Sequence, residues 1–202
     1  MAHIVRKAWS RRCSKNIHWH SYIVEVFFEW TDFDEGQMLI DFGLVKKYFN
    51  DFIDSFDHSF MLWNIDEDKD IIDFSIKNFE RVIISPESSS AESQARLFYQ
   101  VLSLLLLRIP ENYRWGNKIS KIIIHETKTG YAEFCSSDMQ KLHTSYPEIK
   151  IFSNDMSDEV INEKNTLWIS SQIASEWADK GWLIDYHDIK NHWRIEHIHF
   201  NK

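Results

Sequence analysis

In the stretch CSKNIHWHSYIVEV, a thiol at Cys13 stands five residues before the first of two histidines, His18 and His20. The segment 17–30 is rich in β-branched and aromatic residues and is expected to be a strand. Residues at i and i+2 of a strand share a face, so both imidazoles could reach one metal ion without bending the backbone. A catalytic metal would need a third protein ligand as well. Around the thiol, RKAWSRRCSK gathers Arg6, Lys7, Arg11, Arg12 and Lys15 with no acidic residue among them. That patch suits an anionic substrate beside a thiol held toward its ionised form. It also suits an ordinary solvated loop.

Other chemistry-bearing residues are scattered further along the chain. Asp57 and His58 adjoin at the expected end of an amphipathic helix, where a histidine could cap as readily as move a proton. Glu126 is the lone carboxylate of the otherwise apolar KIIIHET, a costly placement without a partner, and a bound ligand would be a natural one. Ser89 and Glu92 have the spacing of a capping box. His187, His192, His197 and His199 match no ligand motif and are expected to be surface residues of a docking element.

Elements must position these groups. The segment DFDEGQ reads as a turn after the first strand, with MLID pairing back as the next one. Phe42, Val45, Phe49, Phe52, Ile53 and Phe56 recur at helical spacing up to about Asp57. A short strand is expected over 79–85, followed by a helix that carries Leu97, Val101, Leu104 and Leu105 on its apolar side. KIIIHETKTGYAEFC reads as two strands joined by a turn at 128–130. Strands grouped at both ends with helices between them indicate an α+β fold with an antiparallel sheet. Beyond Cys135 the pattern changes: NTLWISSQIASEWADKG reads as a helix stopped by Gly181, and HWRIEHIHF as a final strand. The expected organisation is therefore a complete domain over 1–135 and an extension over 136–202, packed on it.

The bulk properties narrow the class. A chain of 202 residues, 44% hydrophobic and 15% aromatic with five glycines and three prolines, has the composition of a folded domain. Its longest apolar run, VLSLLLLRI, is too short to span a bilayer, and no secretion signal is evident at the N-terminus. Two cysteines make no disulfide framework, so the cytoplasm is the expected location. A formal net charge of −8 argues against general nucleic-acid binding, although the basic segment at 6–15 leaves a local nucleic-acid contact as a minor alternative.

Four segments in this order resemble the 6-pyruvoyl-tetrahydropterin synthase and 6-carboxy-tetrahydropterin synthase family. AHIV, a cysteine and HWHSYIVEV are similar to the family's A-H-R-L, Cys and H-G-H-x-Y-x-V-x-V. QMLIDFGLVKKYF is similar to G-M-V-x-D-F-x-x-L-K, and FDHSFML to L-D-H-x-x-L. SSAES and then IIIHETKTGYAEF are similar to P-T-S/A-E and the strand that bears x-E-T. Trp19 stands where the family usually has glycine, and Ala91 where it often has a hydroxyl residue.

The resemblance implies the tunnelling fold: a four-stranded antiparallel sheet with two helices on one face, closing into an oligomeric barrel. It implies Zn2+ held by His3, His18 and His20, with His125 or a tail histidine as the alternative to His3. Cys13, Asp57 and His58 would be catalytic, and Glu126 would grip the pterin, helped by Ser90 and Glu92. The implied substrate is 7,8-dihydroneopterin triphosphate, and the implied assembly a homo-hexamer of two trimers. The expected product is 6-carboxy-5,6,7,8-tetrahydropterin, in 7-deazaguanine biosynthesis. A 6-pyruvoyl product and a non-catalytic pterin- or zinc-binding assembly protein are the alternatives.

Overall fold

A computed structural model of the chain describes residues 1–30, 32–85, 87–106, 109, 117–139, 150–153 and 165–166. Two compact units interleave along the chain: one of Met1–Trp19, Ser55–Ser89 and Thr144–Lys202, the other of His20–Asp54 and Ser90–His143.

The first unit holds strands β1 (Ala2–His3) and β2 (His18–Trp19), with helix α1 (Arg11–Lys15) between them. A second helix, α2, belongs to the other unit. Strand β4 (Phe60–Trp63), helix α3 (Lys69–Asn78) and β5 (Arg81–Ser85) follow after Ser55. Together with β8 (Lys150–Ser153) and β9 (Asn165–Thr166), the strands form a sheet in the order β2-β1-β4-β5-β8-β9. β1 runs antiparallel to β2 and parallel to β4, and β4 runs parallel to β5. Parallel neighbours need a crossover, which α3 supplies. Strands in that setting are buried on both faces and read as continuous apolar runs, as FMLW and VII do. Ile71, Ile72 and Ile76 of α3 pack on Ile4, Phe60, Leu62, Val82 and Ile84, while Met61 and Ile83, pointing the other way, are also fully buried.

The second unit holds β3 (Ile23–Glu29), α2 (Phe42–Asp54), α4 (Ala91–Leu106), β6 (Lys118–His125) and β7 (Tyr131–Cys135). The three strands form an antiparallel sheet with β6 in the middle. Both helices lie over it: Phe28 stacks on Phe49 of α2, Tyr99 of α4 on Phe134, and Phe52 on Phe98 joins helix to helix. Leu97, Val101 and Leu105 are buried as the helical spacing predicts. No helix among the described residues is long and apolar enough to cross a membrane.

The α+β class holds, but the described strands form this mixed sheet and a three-stranded antiparallel one, in place of one four-stranded antiparallel sheet. MLID is no strand. The Asp34 carboxylate accepts from the Met38 amide at 2.7 Å, and Gln37 takes a left-handed φ of 59°, closing a local turn instead. Asp41 then accepts from the Gly43 amide at 2.5 Å, turning the chain into α2. The pairing edge of β3 is filled by β6, a partner distant in sequence. The expected strand over 17–30 is likewise broken: β2 ends at Trp19, β3 starts at Ile23, and the two belong to different sheets. Asn165–Thr166 is strand where a helix was expected to begin, and most of that helix and the whole HWRIEHIHF strand lie outside the described residues.

Candidate metal centre

The register of β1 against β2 sets His3 directly opposite His18. Side chains opposed in this way share one face of the sheet at short separation, and the two rings stand 4.3 Å apart, tilted by 53°. His20 follows two residues after His18. The ligand-capable atoms of His3, His18 and His20 lie within 4.8 Å of one another. The His pair thus meets as expected, although not on one continuous strand, and His3 supplies the third imidazole. His125, the alternative, instead directs Nε2 at Glu25 Oε1, 2.6 Å away.

Backbone carbonyls orient two of the rings. His3 is fully buried and its Nδ1 donates to the Ser89 carbonyl at 2.7 Å. His18 Nδ1 donates to the Asn16 carbonyl at 3.1 Å. A carbonyl can only accept, so in both rings the proton sits on Nδ1 and Nε2 keeps the lone pair. Outer hydrogen bonds of this type fix the tautomer and aim of metal-binding histidines. Three neutral imidazoles are a donor set that suits Zn2+ with a position left for substrate.

Ser89 is a functional contributor that its spacing concealed. Its hydroxyl, fully buried, donates to the Ile4 carbonyl at 2.7 Å while its own carbonyl holds His3. It therefore does not cap α4. That position belongs to Ser90, whose Oγ accepts from the Ser93 amide at 3.4 Å and whose carbonyl receives the Gln94 amide at 2.9 Å. The expected Ser89–Glu92 capping box is shifted by one residue, because α4 starts at Ala91, and Glu92 is exposed in its first turn.

Glu126 stands one residue past the end of β6, where the expected turn forms. The amides of Glu126 and Thr127 both donate to the Gly130 carbonyl at 3.1 Å. The carboxylate is half-buried with partners of its own: Tyr22 donates its hydroxyl to Oε1 at 3.3 Å, and His20 Nε2 lies 3.6 Å from the same oxygen. A bound ligand is thus not needed to explain this carboxylate. Burial pushes the Tyr22 hydroxyl well above its ordinary value, with the Glu126 charge adding to that and a hydrogen bond from Gln94 opposing it. Neither Tyr22 nor Gln94 stood out in the sequence. The alternation His20, Tyr22, Val24 was the available signal for the first.

Cys13 lies in α1, partly exposed, and its carbonyl accepts from the Val5 amide at 3.0 Å, close in sequence to His3. The basic cluster around it is divided. Arg6 turns inward, donating to buried Asp68 at 2.7 Å and to the Ser14 carbonyl at 2.9 Å, and Lys7 lies 5.0 Å over the Trp63 ring. Arg11, Arg12 and Lys15 remain exposed.

Asp57 and His58 occupy the turn before β4, with His58 Nε2 3.7 Å from Asp57 Oδ2. Both are exposed, at 65% and 88%. His58 has a left-handed φ of 51°, a conformation uncommon outside glycine that tends to persist where surrounding structure enforces it. Here Ser59 enforces it, its hydroxyl donating to the Phe56 carbonyl at 2.8 Å and its own carbonyl receiving the Ala2 amide at 2.8 Å. The tail histidines lie outside the described residues.

The profile of the family described as 6-pyruvoyl tetrahydropterin synthase matches residues 1–136. Two relatives from Helicobacter pylori are both named 6-carboxy-5,6,7,8-tetrahydropterin synthase. That of strain J99 is 34% identical over 180 residues, covering 89% of this chain and 82% of the relative. That of strain 26695 is 38% identical over 183 residues, with the same coverage of each. A protein of the same name from Aquifex aeolicus is 32% identical over 125 residues, 59% of this chain and 74% of its own. Among solved structures, the crystal structure of an uncharacterized protein from Wolinella succinogenes superposes with a TM-score of 0.51. It covers 67% of this chain and 92% of that one at 16% identity, a likeness of fold alone.

Proposed function

Because the chain belongs to the 6-pyruvoyl tetrahydropterin synthase family, we propose that it is a zinc-dependent lyase. Its substrate is 7,8-dihydroneopterin triphosphate and its product 6-carboxy-5,6,7,8-tetrahydropterin, a step toward 7-deazaguanine bases in the cytoplasm. One observation carries this choice of product: the relatives matched over 82% of their own length bear that name. The His3, His18 and His20 cluster supports the choice of metal.

The three histidines hold the zinc, which when bound supplies Lewis acidity toward the oxygens of the substrate side chain. Cys13, as thiolate, takes a proton from that side chain. His58 moves the partner proton, and Asp57 beside it orients the imidazole. Glu126 accepts two hydrogen bonds from the amino group and neighbouring N–H of the pterin ring, a charge-assisted pairing. Ser90 and Glu92 add contacts to the pterin pocket and to the subunit boundary. Arg11, Arg12 and Lys15, the cations of the basic segment left exposed, draw in the triphosphate. The working form is a homo-hexamer of two trimers.

The test is to incubate the zinc-loaded protein with dihydroneopterin triphosphate and identify the products by mass spectrometry. The 6-carboxy compound is the expected result. The 6-pyruvoyl compound would replace the proposed reaction with simple triphosphate elimination. Unchanged substrate, with zinc bound and the assembly intact, would overturn the enzymatic reading in favour of a binding role.

A further inference from the structure

Glu126 is held from the protein side by two residues to which the chemistry above gives no part. The Tyr22 hydroxyl donates to Glu126 Oε1 at 3.3 Å. Gln94, buried on α4, is hydrogen-bonded to that same hydroxyl. A phenol has one proton to give. With it committed to the carboxylate, the Tyr22 oxygen can only accept, so the Gln94 side chain must turn its NH2 toward it. The direction of the chain is therefore fixed: Gln94 donates to Tyr22, and Tyr22 donates to Glu126.

Such a chain ends on an acceptor. A carboxylate that already receives the tyrosine proton has lone pairs, and no proton, to offer a ligand. Its backbone is held as firmly, since the Gly130 carbonyl accepts from Glu126 and Thr127 and the Thr127 Oγ1 accepts from the Gly130 amide at 2.8 Å. We infer that Tyr22 and Gln94 are specificity-determining positioning residues, locking Glu126 as an oriented acceptor so that the site takes an amino–imino ring edge and refuses one that presents a carbonyl. A 2-amino-4-oxo pteridine has such an edge; its 2,4-dioxo counterpart places an oxygen where the amino group should be. A site built to accept from an N–H discriminates strongly against a ligand lacking it, because buried polar groups are then left unpaired.

This inference rests on the reading of Glu126 as the group that grips the pterin, and the experiment separates the two. The variants are Tyr22→Phe, which removes only the hydroxyl, Gln94→Leu, and Glu126→Gln as reference. Each is measured for zinc content, for KM and kcat with dihydroneopterin triphosphate, and for binding of pterin against its 2,4-dioxo analogue by fluorescence quenching. Tyr22→Phe is expected to keep its zinc, to raise KM roughly tenfold or more, and to lower kcat by less than about threefold, the loss of one charge-assisted hydrogen bond. Its preference for pterin over the dioxo analogue should shrink by a similar factor, and Gln94→Leu should shift both in the same direction by less. If Tyr22→Phe leaves KM and preference at wild-type values while Glu126→Gln loses binding, the positioning role is wrong and the reading of Glu126 stands. If Glu126→Gln binds as wild type, the reading of Glu126 fails and takes the inference with it. Loss of zinc from Tyr22→Phe would overturn the inference too, because Tyr22 would then be supporting His20, which lies 3.6 Å from the same carboxylate oxygen.

Discussion

Cys13 and His18 stand close together in sequence but hold different duties in this account, and single substitutions separate them. His18 is a ligand whose ring is already aimed by the Asn16 carbonyl, so His18→Ala is expected to lose zinc, measured by metal analysis of the purified protein. A full metal complement in that variant would mean the site is elsewhere. Cys13→Ala removes a proton acceptor and no ligand. It should keep its zinc and lose turnover by a factor on the order of 100 to 10,000; normal turnover would remove the thiol from the chemistry. Ser89 and Glu92 make a second contrast. Ser89→Ala strands the Ile4 carbonyl in a fully packed setting and should cost about 1–3 kcal/mol in urea unfolding. Glu92→Ala, at an exposed position that caps nothing, should stay within about 0.5 kcal/mol. Equal losses from both would restore the capping box that the spacing suggested.

At the scale of elements, what could be read from the sequence depended on whether the determining contacts were local. The α4 helix, the turn at 128–130 and the β6–β7 hairpin follow from spacing and turn chemistry within a few residues, and all three are present. Chemistry-bearing types were legible for the same reason: two histidines two apart declare themselves. The third ligand did not follow from local pattern, because what brings His3 to His18 is the β1–β2 register, and β1 is only two residues long. The misplaced MLID strand and the unforeseen β4 and α3 share a cause. Whether an apolar run pairs with its neighbour or with a strand a hundred residues away is decided by tertiary competition, and β6 won the edge of β3. Glu126 was singled out as an unpartnered carboxylate, yet Tyr22, 104 residues earlier, is its donor. Packing around the second unit's sheet also sets a pH response. Burial, helped by the Glu29 charge, pushes the Tyr99 hydroxyl up to about 12 from 10.0. A group whose pKa is raised on folding contributes fully below its unfolded value, and that contribution is lost as pH climbs from 10 toward about 12. Thermal unfolding across that window should show stability falling, and falling less steeply in Tyr99→Phe. An identical slope in the two proteins would contradict the assignment.

For the molecule as a whole, the account predicts an assembly and a metal requirement. Analytical ultracentrifugation at micromolar concentration should give a particle of six chains, dissociating if at all through trimers. A monodisperse monomer that turns over substrate would show that the active sites are complete within one chain and would remove the proposed hexamer. The central claim is that the His3, His18 and His20 cluster carries a zinc ion on which pterin synthesis depends. It is tested most directly by stripping the protein with a chelator and titrating Zn2+ back while following consumption of dihydroneopterin triphosphate. Activity should be lost on stripping and return in proportion to zinc, saturating at one ion per chain. Full turnover by protein shown to be free of metal would contradict the account at its core.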